Sequence, residues 1–73
     1  MVTKNPNVPT DLRILRRREV QARCGLSRST IYLKIAQNAF PKQVSLGGGR
    51  AVGWVEAEVT AWLEQQIDAS RSQ

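Results

Sequence analysis

A break at residues 25–27 divides the first half of the chain into two short helical segments, and it restricts the fold more than any other feature of the sequence. The segment at residues 17–24 ends at Gly25, a residue type that tolerates the left-handed conformation at a helix end. Ser27 is a good N-cap for residues 28–37, because its hydroxyl can accept a hydrogen bond from a free backbone N–H of the next turn. We therefore predict two helices joined by a tight glycine turn, which is the outline of a helix-turn-helix.

The second half of the chain predicts a hairpin followed by a third helix. Asn38 is a plausible helix end, and Pro41 prevents the second helix from continuing. Alternating apolar residues on both sides of residues 47–50 predict two strands joined by a glycine-rich tip. Apolar residues at helical spacing then predict a last helix from about Glu56 to about Asp68. We expect these side chains to close on the helices or to face the core: Val44, Leu46, Val52, Trp54, Val55, Val59, Trp62, Leu63 and Ile67.

Together these elements predict an α+β fold, a small winged helix-turn-helix with three helices and a two-stranded hairpin wing between the second and third helices. Residues 1–12 are rich in Pro and Asn and poor in apolar residues, which indicates a flexible N-terminal arm. We expect the domain to span residues 13–68 and residues 69–73 to fray. A chain of 73 residues buries only about 60% of the surface that its unfolded form exposes, which leaves little room for an enclosed substrate pocket.

The sequence contains a single Cys and no His. One Cys cannot form an internal disulfide, a Cys-based zinc finger or an iron–sulfur ligand set. Because the sequence has no His, it also lacks the side chain that usually acts as a base at neutral pH. We expect no enzyme activity, no metal and no cofactor. Cys24 is expected to be a small buried apolar residue. Because no apolar run approaches a membrane span or a signal peptide, we also expect a cytoplasmic protein.

Positive charge is concentrated in the first part of the chain. Residues 1–50 contain ten Lys or Arg against Asp11 and Glu19, a net charge of +8, whereas residues 51–73 carry a net charge of −3. A small domain with such a basic face attracts polyanions. The charge alone leaves DNA, RNA and an anionic membrane open as partners, and it is also compatible with a surface that only keeps the protein soluble.

The second helix separates into a buried and an exposed face. Ile31 and Ile35 define the buried face, since they lie close together around the helix axis. The opposite face and its flanks carry Ser29, Thr30, Tyr32, Leu33 and Gln37. Hydroxyls and an amide suit base edges in a major groove, Leu33 suits a thymine methyl, and Arg28 suits guanine or a phosphate. The alternative is a solvated face on which Ser27 only caps the helix.

The glycine run at residues 47–49 is followed by Arg50. It is not a Walker loop, since no Lys-Ser or Lys-Thr follows it, and no GxGxxG motif opens a helix. We interpret it as a hairpin tip from which Arg50 reaches a phosphate or enters a minor groove. The alternative is a merely flexible loop. Trp54 and Trp62 fall on the apolar phase of their elements, so we expect both in the core.

Three consecutive blocks of the sequence resemble the AlpA-type prophage regulators, small relatives of the excisionases within the MerR-like winged-helix group. The blocks are LSRSTIY at residues 26–32, FPKQVSLGGGRAVGW at residues 40–54 and VEAEVTAWL at residues 55–63, and the resemblance spans about residues 13–67. It implies a winged helix-turn-helix that binds DNA, with a recognition helix opening at residues 27–32 and a wing at residues 47–50. It further implies transcriptional control of prophage or mobile-element genes, or architectural help to an integrase during excision.

The chain departs from the family pattern at two places. Leu33 and Lys34 stand where the family typically has a basic residue followed by an apolar one, and Arg17 stands where an apolar residue is usual. The second departure suggests that the first helix packs less apolar surface, or that Arg17 is redirected to a phosphate.

We therefore predict a sequence-specific duplex-DNA-binding regulator. The alternatives are an architectural excisionase and, from another class, a protein interaction module that uses the acidic last helix. The expected partners are double-stranded DNA, a second copy on an adjacent site and an integrase, without a membrane or a small-molecule substrate. The candidate DNA contacts are Ser27, Arg28, Ser29, Thr30, Tyr32, Leu33, Lys34 and Gln37 in the recognition helix, Gly47, Gly48, Gly49 and Arg50 in the wing, and Arg16, Arg17, Arg18, Arg23 and Lys42 toward the DNA backbone.

Overall fold

A computed structural model describes residues 12–72 of the chain. The elements, in chain order, are β1 (Ile14–Leu15), α1 (Arg17–Cys24), α2 (Arg28–Ala36), β2 (Val44–Ser45), β3 (Val52–Val55) and α3 (Glu56–Arg71). Three helices with a hairpin between the second and the third confirm the predicted winged helix-turn-helix architecture. Apart from Leu12, the predicted N-terminal arm lies outside the described residues.

The turn between α1 and α2 has the predicted local chemistry. Gly25 adopts a left-handed conformation with φ 68°, and its backbone N–H donates to the carbonyl oxygen of Gln21. Ser27 is extended, and its hydroxyl accepts a hydrogen bond from the backbone N–H of Thr30 at 3.2 Å. Glycine and serine therefore end one helix and start the next for the reasons that the sequence indicates.

The hairpin belongs to a three-stranded antiparallel sheet in the order β1-β3-β2. The strand that sequence analysis missed is β1, in which Ile14 pairs with Val55 and Leu15 pairs with Trp54. Gly53 lies where these strands meet, and a Cβ atom there would overlap Cγ2 of Ile14 and press on the carbonyl oxygen of Leu15. The sheet therefore requires glycine at this position because the neighbouring strand leaves no room for a side chain.

The core lies between the sheet and the three helices. Its buried side chains are Leu15, Val20, Ile31, Phe40, Trp54 and Val59. Cys24, Leu26, Tyr32, Ile35, Val52, Trp62 and Leu63 are partly buried against them. Trp54 is in the core as predicted, whereas Trp62 and Cys24 are only half-buried at its margin. Val20 is the one buried side chain of α1, so this helix contributes little apolar surface.

Three side chains that we expected to be covered are exposed. Val44 is 37% exposed, because it lies in the two-residue edge strand β2 and lines an open cleft between this strand and α3. Leu46, which directly follows β2, is also 37% exposed. Ile67 is 46% exposed, and it belongs to the last part of α3, in which every residue from 64 to 72 is exposed.

Both helix ends that follow the turn differ slightly from their predicted positions. Helix α3 continues to Arg71 rather than ending at about Asp68, so residues 69–71 are helical where we expected fraying. Helix α2 ends at Ala36, with Gln37 as its C-cap and Asn38 in the left-handed conformation at φ 57°. In the part of the chain that the structure describes, no helix has the length and apolar character to span a bilayer.

Candidate nucleic-acid interface

The outward face of α2 is formed by the residues that the helical periodicity selects. Ser29, Leu33 and Gln37 are exposed, and Leu33 keeps 57% of its surface accessible. Ile31 on the opposite side is fully buried, and Ile35 is half-buried against the core. An apolar side chain that stays this exposed between two polar ones is available for contact with a partner.

Two other candidates on α2 are bonded to each other. The Ser27 hydroxyl accepts from the backbone N–H of Thr30 and donates to the Thr30 hydroxyl at 2.9 Å. Thr30 is half-buried. Both hydroxyls therefore hold the first turn of α2 in place, while Ser29 between them remains exposed.

An aromatic pair connects the start of α2 to the hairpin. The guanidinium of Arg28 lies 5.8 Å from the ring centre of Tyr32, within the range of a cation–π contact. The ring of Tyr32 packs edge-on against Trp54 of β3, with 6.2 Å between ring centres. Arg28 is thus positioned over a ring that the core holds, although its own side chain is exposed.

The hairpin of β2 and β3 ends in the predicted glycine tip. Gly47, Gly48 and Gly49 all have positive φ, at 102°, 94° and 65°, a conformation that side chains rarely adopt. The tip closes through a hydrogen bond from the backbone N–H of Leu46 to the carbonyl oxygen of Ala51 at 2.9 Å. The tip, including Arg50, is exposed.

Five arginines from α1, α2 and the hairpin converge on one open cleft of about 380 Å³. The residues that line this arginine cleft are Arg16, Arg17, Arg18, Arg28, Tyr32, Arg50 and Val52. No Asp or Glu is among them. All five arginines are among the predicted DNA contacts, but the prediction divides them among the recognition helix, the wing and the DNA backbone. Val52 is not among the predicted contacts, although its carbonyl oxygen accepts a 3.0 Å hydrogen bond from Nε of Arg16. In the sequence, only the apolar residues at every second position around Val52 indicate that it belongs to the hairpin.

Arg17 is the unusual member of the cleft. Its side chain is half-buried, and its Nε atom is buried with no hydrogen-bond acceptor among residues 12–72. A buried donor that stays unpaired costs about 1–3 kcal/mol. The position that the family resemblance marks as a departure therefore lines a cationic cleft and also carries an unsatisfied donor.

Comparison with known proteins decides the family. Residues 13–67 match the family described as Prophage CP4-57 regulatory protein (AlpA). This chain belongs to the AlpA family. An AlpA protein of Escherichia coli K12, named DNA-binding transcriptional activator AlpA, is 39% identical over 61 residues, which cover 75% of this chain and 86% of that protein. No solved structure matches the chain.

A phage protein is a second relative of this AlpA-family chain. The uncharacterized protein ORF88 of Enterobacteria phage P4 is 55% identical over 58 residues, which cover 80% of this chain. The matched region spans 65% of the length of the phage protein.

Three cations of this AlpA-family chain that we predicted to face DNA lie outside the arginine cleft. Arg23 forms a 3.0 Å salt bridge with Glu56 at the start of α3, which neutralises part of its charge. Lys42 is exposed and lines a separate cleft with Glu58 and Trp62. Lys34 is half-buried in the last turn of α2, next to the exposed Gln37.

Cys24 in the AlpA-family fold has the environment of a packing residue. Burial raises the pKa of its thiol, and the neighbouring Arg23 lowers it by less. A thiol with a raised pKa is protonated at neutral pH and is a poor nucleophile. Among residues 12–72, no group of three His, Cys, Asp or Glu side chains comes together in a way that could hold a metal ion.

Proposed function

We propose that this chain is a duplex-DNA-binding regulator that places the exposed face of α2 in the major groove and its hairpin wing against the adjacent backbone or minor groove. The observation that carries the proposal is the convergence of five arginines, without a lining carboxylate, where the start of α2 meets the wing. A DNA-binding module fixes its register through phosphate contacts made by such cations. The relative from Escherichia coli, which is named a DNA-binding activator, supports the same function.

The exposed side chains suggest how the bases would be read. Ser29 and Gln37 offer hydrogen bonds to base edges, and Leu33 offers an apolar contact to a thymine methyl group. Arg28 lies over the Tyr32 ring at the start of the helix, where it can reach guanine or a phosphate. Because Ser27 and Thr30 are bonded to each other, we assign them to positioning the helix rather than to reading bases.

The wing has a different task in this proposal. Arg50 follows three glycines that adopt positive φ, so the backbone of the tip can approach a nucleic-acid surface closely. Arginine on such a tip contacts phosphates or enters a narrow minor groove, where the negative potential is strong. We therefore assign affinity to the wing and sequence preference to α2.

The salt dependence of binding tests the proposal. If about four to six phosphates are neutralised, the logarithm of the association constant should fall with the logarithm of salt concentration at a slope of roughly −4 to −5. As a control, Arg71→Gln should leave this slope nearly unchanged. Arg71 is an exposed cation in the last turn of α3 and does not line the arginine cleft. A slope near zero for the wild-type protein on duplex DNA would contradict the function.

The kind of regulation is a finer part of the proposal. We favour transcriptional control of prophage or mobile-element genes, because both the family description and the activator from Escherichia coli name regulation. A reporter fused to a bound promoter measures this directly. A circular-permutation assay on the same site measures bending, and strong bending without any change in transcription would indicate the architectural role in excision instead.

A further inference from the structure

The arginine cleft has the features of a receptor for a single phosphate group. We propose that it receives one phosphodiester of the DNA backbone, at the position between the groove that α2 reads and the contact of the wing, and that Arg17 is the residue that recognises it. The inference deepens the proposed function and rests on it. The proposed contact is made by an arginine at a position where the family usually has an apolar residue.

Arg17 has a hydrogen-bond donor that lacks an acceptor. Nε of Arg17 is buried and has no hydrogen-bond acceptor among the residues that the structure describes. Buried donors in folded proteins are nearly always paired, so an unpaired one calls for an absent partner. Two of the other arginines in the cleft have partners, since Nε of Arg16 donates to the carbonyl oxygen of Val52 and Arg28 lies over the ring of Tyr32. The remaining two, Arg18 and Arg50, are exposed, so water can satisfy their donors. Arg17 is thus the donor that a ligand would complete.

The second step is the charge of the ligand. The cleft collects five guanidinium groups and no carboxylate, and the salt bridge found within residues 12–72 joins Arg23 to Glu56 instead. Like charges that line one cleft repel one another, and an anion between them offsets that repulsion. Guanidinium groups bind phosphate oxygens in a planar, two-pronged geometry that lysine cannot reproduce. A phosphate group therefore satisfies the missing acceptor and the uncompensated charge together.

The third step is the position of the cleft. Its lining comes from the start of α1, from Arg28 and Tyr32 in the first half of α2, and from the hairpin. The hairpin contributes Arg50 in the tip and Val52 at the start of β3. In the proposed complex, α2 enters a major groove and the wing contacts the adjacent DNA backbone. The DNA strand that runs between these two contacts then passes the arginine cleft. One particular phosphate of the site should therefore matter more than its neighbours.

A methylphosphonate scan tests this directly. Duplexes that carry one neutral methylphosphonate each, at successive positions along both strands, are titrated against the wild-type protein and against Arg17→Gln. We expect one position at which the neutral linkage weakens wild-type binding by about tenfold, the effect of losing a hydrogen bond to a charged group. At that same position Arg17→Gln should show almost no further loss, because the contact is already gone.

Two variants separate geometry from charge. Arg17→Lys keeps the positive charge but lacks Nε and the forked donors, so we expect it to weaken binding nearly as much as Arg17→Gln. Arg71→Lys is the matched control, because Arg71 is an exposed arginine in the last turn of α3 and does not line the arginine cleft. We expect Arg71→Lys to bind nearly as wild type. Wild-type affinity of Arg17→Lys, together with full sensitivity of Arg17→Gln to the methylphosphonate, would overturn the assignment.

A direct observation of Arg17 covers the case in which its variants fail to fold. The Nε–H signal of Arg17 in the wild-type protein is followed by NMR while duplex DNA or inorganic pyrophosphate is added. We expect the duplex to shift the signal. A shift with pyrophosphate and none with duplex would identify a free phosphate ligand and overturn the backbone assignment, as would no shift with either. If the wild-type protein does not bind duplex DNA at all, the proposed function itself is contradicted. If it binds duplex DNA but the Nε–H signal of Arg17 does not shift, only this inference is contradicted.

Discussion

The indole N–H of Trp62 donates a 2.7 Å hydrogen bond to the carbonyl oxygen of Ala39, which ties α3 to the segment that follows α2. Trp54 of β3 makes the equivalent bond to the carbonyl oxygen of Pro41, at 3.0 Å. Two indoles from different elements therefore hold the same short connection between α2 and the hairpin. These two bonds link the segment after α2 to β3 and to α3.

Replacement of Trp62 measures how much this connection matters. Trp62→Phe keeps an aromatic ring against Phe40, whose ring centre is 4.8 Å away, but it removes the N–H donor. We expect this variant to lose about 0.5–1.5 kcal/mol of the free energy of unfolding. Trp62→Ala should lose about 3 kcal/mol, near the lower end for such truncations because the ring is half-exposed. Urea denaturation measures both losses, and an unchanged stability of Trp62→Ala would contradict its packing role.

Ser27 and Ser29 form a natural pair for testing the start of α2. Ser27→Ala removes the acceptor for the backbone N–H of Thr30 and should lower the free energy of unfolding by about 0.5–2 kcal/mol. Ser29→Ala, on the exposed face, should change it by less than about 0.5 kcal/mol. Thermal melts of both variants check the contrast. The assignment of the cap fails if Ser29→Ala is the more destabilising change.

The features that sequence analysis predicted correctly depend on neighbours along the chain. Gly25 ends α1 and Ser27 starts α2 through contacts within four residues, so their roles follow from residue type and spacing alone. The buried position of Ile31 and the exposure of Leu33 follow from the helical period in the same way.

The features that it missed depend on contacts between distant parts of the chain. Two residues are too few to show the alternation of a strand, so Ile14 and Leu15 gave no signal for β1. The spacing of the apolar residues in α3 could not show that the body of the domain ends before Ile67. Nor could it show that Arg17 and Arg50, 33 positions apart, line one cleft.

Arg50 and Leu33 should affect DNA binding in different ways. Arg50→Ala should weaken binding to all sequences nearly alike and make the salt slope shallower by about one unit, because a phosphate contact is lost. Leu33→Ala should change the preference at one or two base pairs by about 1–3 kcal/mol, since the exposed side chain faces the groove in the proposed complex. Titration against a randomised site library at two salt concentrations distinguishes them. If only Arg50→Ala alters sequence preference, the roles of wing and helix are reversed.

We expect the Cys24 thiol to make the free energy of unfolding decrease at alkaline pH. Burial raises the pKa of this thiol above the ordinary value of 9.0, so the unfolded chain loses the proton at lower pH than the folded one. The contribution of the protonated thiol to the free energy of unfolding is therefore complete below the pKa that the thiol has in the unfolded chain. It is lost as the pH rises through the higher pKa of the folded protein. Melting temperatures of the wild-type protein and of Cys24→Ala, compared between about pH 8 and pH 10, measure the difference. Parallel pH profiles would show that the thiol makes no such contribution.

Gly53 should not accept a side chain. In Gly53→Ala the new methyl group overlaps Cγ2 of Ile14, and we expect a loss of about 1–3 kcal/mol in the free energy of unfolding. Combining it with Ile14→Ala removes the overlapping group, so the double variant should be more stable than the sum of the two losses predicts. A double-mutant cycle by urea denaturation measures this coupling. Additive losses would place the cost elsewhere, for example at the carbonyl oxygen of Leu15.

The pairing of Ile14 with Val55 also determines when the fold can be completed during synthesis. The residues of α1 and α2 leave the ribosome early, and the contacts within this pair of helices are local, which favours rapid formation. Strand β1 precedes both helices, yet its only sheet partner among the described residues is β3, which is made some forty residues later. A nascent chain that ends before Val52 therefore carries α2, the proposed recognition helix, on a domain in which β1 has not yet paired with β3.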